Sequence, residues 1–399
     1  MLFVMEFTTP STTSGSAYSE LVTGSFDESK AIEAARRAHE HLGEHATMAF
    51  LFVSCDLRES LADLIELVQI HARCPQVVGC SASGLICGEV EDEEANGFSL
   101  LVLRLPQTEV KVVSLPSENQ GSSWDHIRRW NREGCDGWIL LGNPVLLGEE
   151  WMDHWNQSIG AVPVYGGLAG GSHRAEDLFL FDQSGVHENA SAIAIGLRGG
   201  VQLCGLVSQG CRPIGEPFTI TKADENLIHQ LASQSAYEQL QSTFHNLTEK
   251  QRERAQGNIL IGLAMSEYVE DFNTGDFLVR SILGGDPDKG AIAVGALPRV
   301  GQTLQFQLRD REAASADLHY SLEKCQQQLT KAPFATLLFS CGGRGKHLFG
   351  RPHHDASQFA ATFGATPLAG FFCNGEIGTI GDKAYLHGFT ASAVILANK

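Results

Sequence analysis

The 399-residue chain has no run of about 18 apolar residues, and its first twenty residues hold no basic segment followed by an apolar stretch. The first absence excludes a membrane-spanning helix, and the second argues against a secretory leader. Basic residues are few: 29 Lys and Arg stand against 47 Asp and Glu, for a formal net charge of −18. Such a surface repels phosphate, which argues against nucleic acid or an anionic membrane as partner. Ten cysteines are scattered without paired metal-ligand spacing. Small buried-type positions such as Cys55 and Cys204 point to reduced thiols rather than disulfides, and the expected compartment is the cytoplasm. Gly342-Gly343-Arg344-Gly345 lacks the Lys-Ser/Thr ending of a phosphate loop, so no nucleoside-triphosphate site of that kind is read.

What the chain does have is one unit three times over: an apolar strand ending in small residues, a helix, a proline, then a strand dissolving into glycines. The copies run from Phe52-Val53-Ser54-Cys55 to Pro75 and Gly79, from Ile139-Leu140-Leu141-Gly142 to Pro163 and Gly166, and from Leu337-Leu338-Phe339-Ser340-Cys341 to Pro367 and Gly370. From strand end to first glycine the spacings are 24, 24 and 29 residues. Gly, Ser, Ala and Cys at these ends leave room for something to approach the backbone, and the expectation is a ligand cavity beside Cys55, Gly142 and Cys341.

Periodicity places helices over residues 29–42, 57–72, 124–131, 149–159 and 311–329, and strands over 48–54, 76–90, 98–105, 110–115 and 138–142. The strands 98–105 and 110–115 flank a turn and are expected to pair. Residues 178–221 read as an antiparallel meander. Thr8 to Gly24, rich in Ser, Thr and Gly, reads as a loosely held arm in which Gly15 should tolerate substitution. The expected organisation is an arm over 1–27 and domains over 28–221 and 222–399. The fold class is α/β (α+β): two related domains with mixed, partly antiparallel sheets covered by helices.

Gly166-Gly167-Leu168-Ala169-Gly170-Gly171, Gly215-Glu216-Pro217-Phe218-Thr219-Ile220-Thr221, Phe339-Ser340-Cys341-Gly342-Gly343-Arg344-Gly345 and Phe371-Phe372-Cys373-Asn374-Gly375-Glu376-Ile377-Gly378 together resemble the FIST family. The resemblance covers nearly everything after about residue 28. It implies an N-terminal and a C-terminal FIST domain and a role as an intracellular sensor of small ligands. Relatives often carry an F-box, kinase, cyclase or chemoreceptor module, for which this chain leaves too few residues. A separate signalling protein is therefore the expected partner. Some bacterial members resemble haem-binding nitric-oxide sensors, which makes haem the alternative ligand, although no cofactor is the first expectation.

The candidate site residues follow from charge and glycine context. Arg344, Lys346 and Arg351 face a single carboxylate, Asp355, within residues 342–355, a positive island on an acidic chain. Arg344 between Gly342, Gly343 and Gly345 can grip a carboxylate bidentately. Asn374 and Glu376 can hold an ammonium, which points to an anionic or zwitterionic metabolite such as an amino acid. Gly167, Gly170 and Ser81 can serve the same purpose in the N-terminal half. The second alternative, a thiol-dependent enzyme, rests on Cys341 beside the cationic loop, and no catalytic role is the first expectation. His347, His353 and His354 are the axial candidates for haem, while their spacing does not make a zinc site. The aromatic content, 5 Trp and 21 Phe, leaves a homo-oligomer open through an exposed apolar face.

Overall fold

The computed structural model describes residues 14–118, 121–255, 257–268, 272 and 274–399. The chain divides into two compact units, one running through Val207 and taking in Tyr320–Leu386 and Ala391–Lys399, the other made of Ser208–His319 and His387–Thr390. The boundary expected near Thr221 falls within the second unit, on its strand Phe218–Asp224.

The first unit is built from three six-stranded sheets. At the middle of each lies a parallel pair: Met48–Ser54 with Gln76–Ala82, Gly137–Gly142 with Val164–Leu168, and Pro333–Cys341 with Leu368–Cys373. The crossover between parallel strands carries a helix, respectively Leu61–His71, Glu149–Ile159 and His354–Phe363. These are the three repeats. After its glycine-rich strand each repeat gives its next strand to another sheet. Leu85–Cys87 of the first pairs with Leu368–Cys373 of the third, Glu376–Ile380 of the third pairs with Val164–Leu168 of the second, and Leu180–Asp182, which follows the second, pairs with Gln76–Ala82 of the first. The exchange is cyclic, so no sheet is completed by its own repeat.

The glycines make this possible. Gly79, Gly166 and Gly370 hold the same place in their pairs, opposite Leu51, Leu140 and Leu338. A Cβ at any of the three would overlap the carbonyl oxygen of its Leu partner. The space that a side chain would need at Gly79, Gly166 and Gly370 is thus taken by the neighbouring strand of the same chain. Gly167 and Gly170 act at seams between repeats: a Cβ at Gly167 would press on Phe339 and Cys373, and one at Gly170 would overlap the Ser83 hydroxyl.

Three local expectations differ from the structure for reasons of edge occupancy. Gly97–Arg104 is buried along its length with Ser16–Thr23 on one edge and Met48–Ser54 on the other, so it has no edge left for Thr108–Pro116. That strand pairs instead with Ala190–Gly199 in another sheet. Leu180–Asp182, Ala190–Gly199 and Val201–Gln209 do not form a meander, because each joins a different sheet. Ser16–Thr23, read as part of a loose arm, is a full edge strand, and Gly15 beside it donates its N–H to Asn398 at 2.6 Å and packs on Phe334. Residues 1–13 of the expected arm lie outside the described residues.

Between the sheets, Phe52, Phe339 and Phe371 from two repeats meet with ring centroids 4.7 to 6.3 Å apart. Trp124, Trp138, Trp151 and Trp155 pack under the helices of the second repeat. The aromatic residues expected to make an exposed face are therefore spent on cores, and among the described residues no Trp or Phe ranks as an exposed large hydrophobic. No helix among the described residues is long and apolar enough to cross a membrane.

The second unit is a closed antiparallel barrel. Its strands run Phe218–Asp224, Leu227–Leu231, Ala291–Val294, Phe277–Asp286, Ile259–Ala264 and Thr303–Arg309, the last returning to pair with the first. Closure removes open edges and encloses Ile220, Ile228, Ile261, Val294 and Phe306. The helix Ala236–His245 starts with a capping box formed by Ser235 and Glu238. With mixed sheets, covering helices and this barrel, the chain has the mixed α+β fold expected of it.

Gly166→Ala should cost at least 1 to 3 kcal/mol, the range for forcing atoms into filled space, whereas Gly284→Ala, with nothing within 4 Å of its Cβ, should stay within about 0.5 kcal/mol. Urea denaturation of both variants checks this, and equal midpoints would remove the steric account of the repeat glycines.

Candidate functional site

The third repeat ends its first strand at Cys341 and turns through Gly342 and Gly343 into the short helix Gly345–Phe349. The Arg344 N–H closes the turn on the Cys341 carbonyl at 2.8 Å. Gly345, with φ of +65°, takes a left-handed conformation that suits glycine. His353, also left-handed with φ of 60°, then leads into the helix His354–Phe363.

Arg344 is the largest charged side chain wholly enclosed in the protein, with 0% exposure. Its Nε donates to Asp355 Oδ2 at 2.6 Å and its Nη2 to Asp355 Oδ1 at 3.0 Å, while the guanidinium lies 5.3 Å from the Phe349 ring centre. The bidentate carboxylate contact expected of Arg344 thus exists, but the carboxylate is the protein's own. Burial opposes the guanidinium charge, and Asp355 overrides it, so Arg344 holds its proton more firmly than usual. Burial likewise opposes the Asp355 charge, and Arg344 and His354 hold that carboxyl well below the usual carboxylate range. His354 Nδ1 donates to Asp355 Oδ1 at 2.9 Å, its Nε2 faces Gln358 Nε2 at 3.1 Å, and its ring stacks on Phe349 with centroids 3.4 Å apart.

Two further carboxylates reach this cluster from the hairpin of the first repeat, some 250 residues earlier in the chain. Glu93 Oε1 accepts from the Lys346 N–H at 2.6 Å and covers Gly345. Glu91 Oε1 accepts from the Ala356 N–H at 2.6 Å, in the first turn of the His354–Phe363 helix. Its Oε2 is buried and has no hydrogen-bond partner among the described residues. Burial, with the Asp355 charge second, pushes the Glu91 carboxyl up to about 8. The positive island counted along the sequence is therefore matched in space by Glu91, Glu93 and Asp355. Sequence reasoning missed both glutamates because nothing local ties residues 91 and 93 to residues 344–356.

Several of the other expected site residues make contacts within the fold. Ser81 Oγ accepts from the Phe179 N–H at 3.2 Å, and the Ser81 carbonyl accepts from the Gly170 N–H at 2.9 Å. Glu376 is fully buried, 3.2 Å from the Cys373 thiol, and starts the strand that pairs with Gly167, whereas Asn374 is exposed at the turn before it. Cys341 is partly exposed, with its Sγ 3.4 Å from the Gly343 N–H. His353 Nδ1 lies 3.0 Å from the Glu91 N–H, and His347 is exposed. His353 and His354 are thus engaged by protein groups, His354 with its ring on Phe349. No group of three metal-ligating side chains gathers among the described residues.

A cavity of about 350 Å³ opens along the same helix. Phe359, Ala360 and Phe363 form one wall, Ala17, Tyr18 and Ser19 of the edge strand another, and Thr336, Thr366, Pro367 and Leu368 the floor. His41 and Glu89 stand at its margin, both exposed. The Tyr18 hydroxyl donates to Glu20 at 2.6 Å, and burial with this contact pushes its pKa up to about 12. None of the candidate site residues named from the sequence lines this cavity. Cavity and charge cluster share two elements. The helix enters the cluster with His354 and Asp355 and the cavity with Phe359 and Phe363, and the hairpin offers Glu89 to the cavity and Glu91 to the cluster.

A family model described as the FIST N domain matches residues 47–234, and one described as the FIST C domain matches residues 235–379. An uncharacterized Mycobacterium tuberculosis protein is 34% identical over 371 residues, spanning 92% of this chain and 96% of the relative. An uncharacterized Mycobacterium bovis protein is 34% identical over 374 residues, with 92% and 95% covered. An Arabidopsis thaliana F-box/LRR-repeat protein is 33% identical over 107 residues, 25% of this chain and 20% of that one. A crystal structure of a chorismatase overlays with a TM-score of 0.32 at 8% identity, covering 97% of this chain and all of that one, a likeness too slight to bear on fold or chemistry.

Glu91 generates a test with a defined sign. Its carboxyl binds a proton more tightly when folded than when unfolded, so its contribution to stability is fully present below the ordinary glutamate range near 4.3 and is lost as pH rises toward 8. Glu91→Gln keeps the acceptor for Ala356 and removes the titration. Its melting temperature should fall less than the wild type's between pH 5 and pH 8, and at pH 8 it should melt higher. Parallel curves for the two proteins would show that Glu91 is not held protonated.

Proposed function

The chain belongs to the FIST family, whose domains are associated with signal-transduction sensors, and from that premise we propose that it binds a small zwitterionic metabolite in the cavity along the His354–Phe363 helix. The observation that carries this reading is the cavity itself: about 350 Å³ in volume, within the range for small-molecule sites, with apolar walls and a few polar groups. Glu89 is the one carboxylate on its margin and favours an ammonium, which weighs against a purely anionic ligand. Tyr18, Ser19, Thr336 and Thr366 supply hydroxyls, and His41 offers a donor for a carboxylate.

Occupancy can act on the rest of the repeat through the shared helix. A ligand that packs on Phe359 and Phe363 favours one helix position, and the far end of that helix bears His354 and Asp355 on Arg344. The ligand shifts such an equilibrium only by its difference in affinity for the two states. A separate signalling protein then reads the favoured state.

A calorimetric panel of L-amino acids, each beside its des-amino acid, tests the reading on the full chain. At least one amino acid should bind, its des-amino partner should bind at least tenfold more weakly, and Glu89→Gln should reproduce that loss with an unchanged melting temperature. Equal affinity for both members of every pair would remove the zwitterion, and binding left intact by Ala360→Phe would place the ligand outside this cavity.

A further inference from the structure

Cys204 on the strand Val201–Gln209 and Cys325 on the helix Arg311–Gln328 place their sulfur atoms 2.7 Å apart. Both residues are buried, and both are free thiols. The pair lies about 0.7 Å from disulfide bonding distance. Their surroundings are polar enough to handle a proton: Gln328 Oε1 is 3.4 Å from Cys204 Sγ, and the Gly205 carbonyl is 3.7 Å from Cys325 Sγ. We propose that Cys204 and Cys325 form a dithiol that hydrogen peroxide closes to a disulfide, joining the strand Val201–Gln209 to the helix Arg311–Gln328.

The two sulfurs have different parts. The contact with Cys325, with Lys324 nearby, holds Cys204 below the ordinary thiol value despite burial, and the same contact pushes Cys325 up. Cys204 is accordingly the attacking thiolate. Burial instead pushes up the thiols of Cys74, Cys80, Cys87, Cys135 and Cys373.

In the first step Cys204 Sγ attacks one peroxide oxygen, the O–O bond breaks, and the departing hydroxide takes up the proton lost by Cys204 to leave as water. In the second, Cys325 Sγ attacks the sulfenic sulfur of Cys204, the S–O bond breaks, and hydroxide leaves as water with the Cys325 proton. Two thiols and one peroxide thus yield one disulfide and two waters. The site suits a small oxidant because burial limits access by larger disulfides.

The position gives the bond a consequence. The chain leaves the first unit after Val207 and re-enters it at Tyr320, so a bond between Cys204 and Cys325 makes residues 208–319 part of one covalent loop. Oxidation therefore ties together two of the chain segments by which the barrel unit is attached, independently of ligand in the cavity.

The test treats the full chain with hydrogen peroxide, alkylates it under denaturing conditions and maps the peptides by mass. Alkylatable thiols should fall from ten to eight, with a Cys204–Cys325 linked peptide that dithiothreitol separates. A single proteolytic cut between the two cysteines should leave the oxidised fragments joined on a non-reducing gel. Cys204→Ser and Cys325→Ser should each abolish the linkage. Cys204 and Cys325 remaining fully alkylatable in the treated wild type, or a bond formed elsewhere such as Cys341 to Cys373, would overturn the proposal, and this wild-type map decides even if a serine variant fails to fold.

Discussion

The larger unit depends on the handing of one strand from each repeat to the sheet of another. A strand pair needs its remaining edges filled, and here one edge of each pair is filled by a strand that follows a different repeat. Cooperativity follows, because displacing one hairpin opens an edge in a neighbouring sheet. The glycines at 79, 166 and 370 belong to the same constraint. Backbone of Leu51, Leu140 and Leu338 occupies the space that side chains would need, so composition at these positions is fixed by packing rather than by a ligand.

The exchange also decides the electrostatics. Because Leu85–Cys87 joins the third sheet, the hairpin brings Glu91 and Glu93 against Arg344, Lys346 and the start of the His354–Phe363 helix. A buried guanidinium without a partner would be untenable, and Asp355 meets it with two hydrogen bonds. The second buried carboxylate, Glu91, cannot share that site fully ionised, since Asp355 already holds the negative charge beside Arg344. An ion pair plus a protonated acid is a pattern seen where one carboxylate is stabilised at another's expense.

The buried charges and the cavity share two elements. The His354–Phe363 helix, about 15 Å long, has charge at one end and the cavity wall at the other, and the hairpin runs beside it with Glu89 and Glu91 in matching places. The ligand proposed for the cavity would pack on the same two elements that the buried charges hold. The Cys204–Cys325 pair lies outside these two elements.

Much of the local structure was legible in the sequence. The helix Glu149–Ile159 and the strand Met48–Ser54 match their expected bounds because periodicity and capping are carried by neighbouring residues. The triple repeat and the family were visible too, since glycine strings in a fixed order leave a trace in composition. Partner choice was not. Gly97–Arg104 and Thr108–Pro116 are adjacent in sequence yet lie in different sheets, Tyr18 and Ser19 looked like part of a loose arm yet line the cavity, and Glu91 lies more than 250 residues from the Arg344 loop. Alternation tells a strand which face is apolar but not which strand will fill its edge, so only the tertiary structure decided which charges, walls and thiols meet.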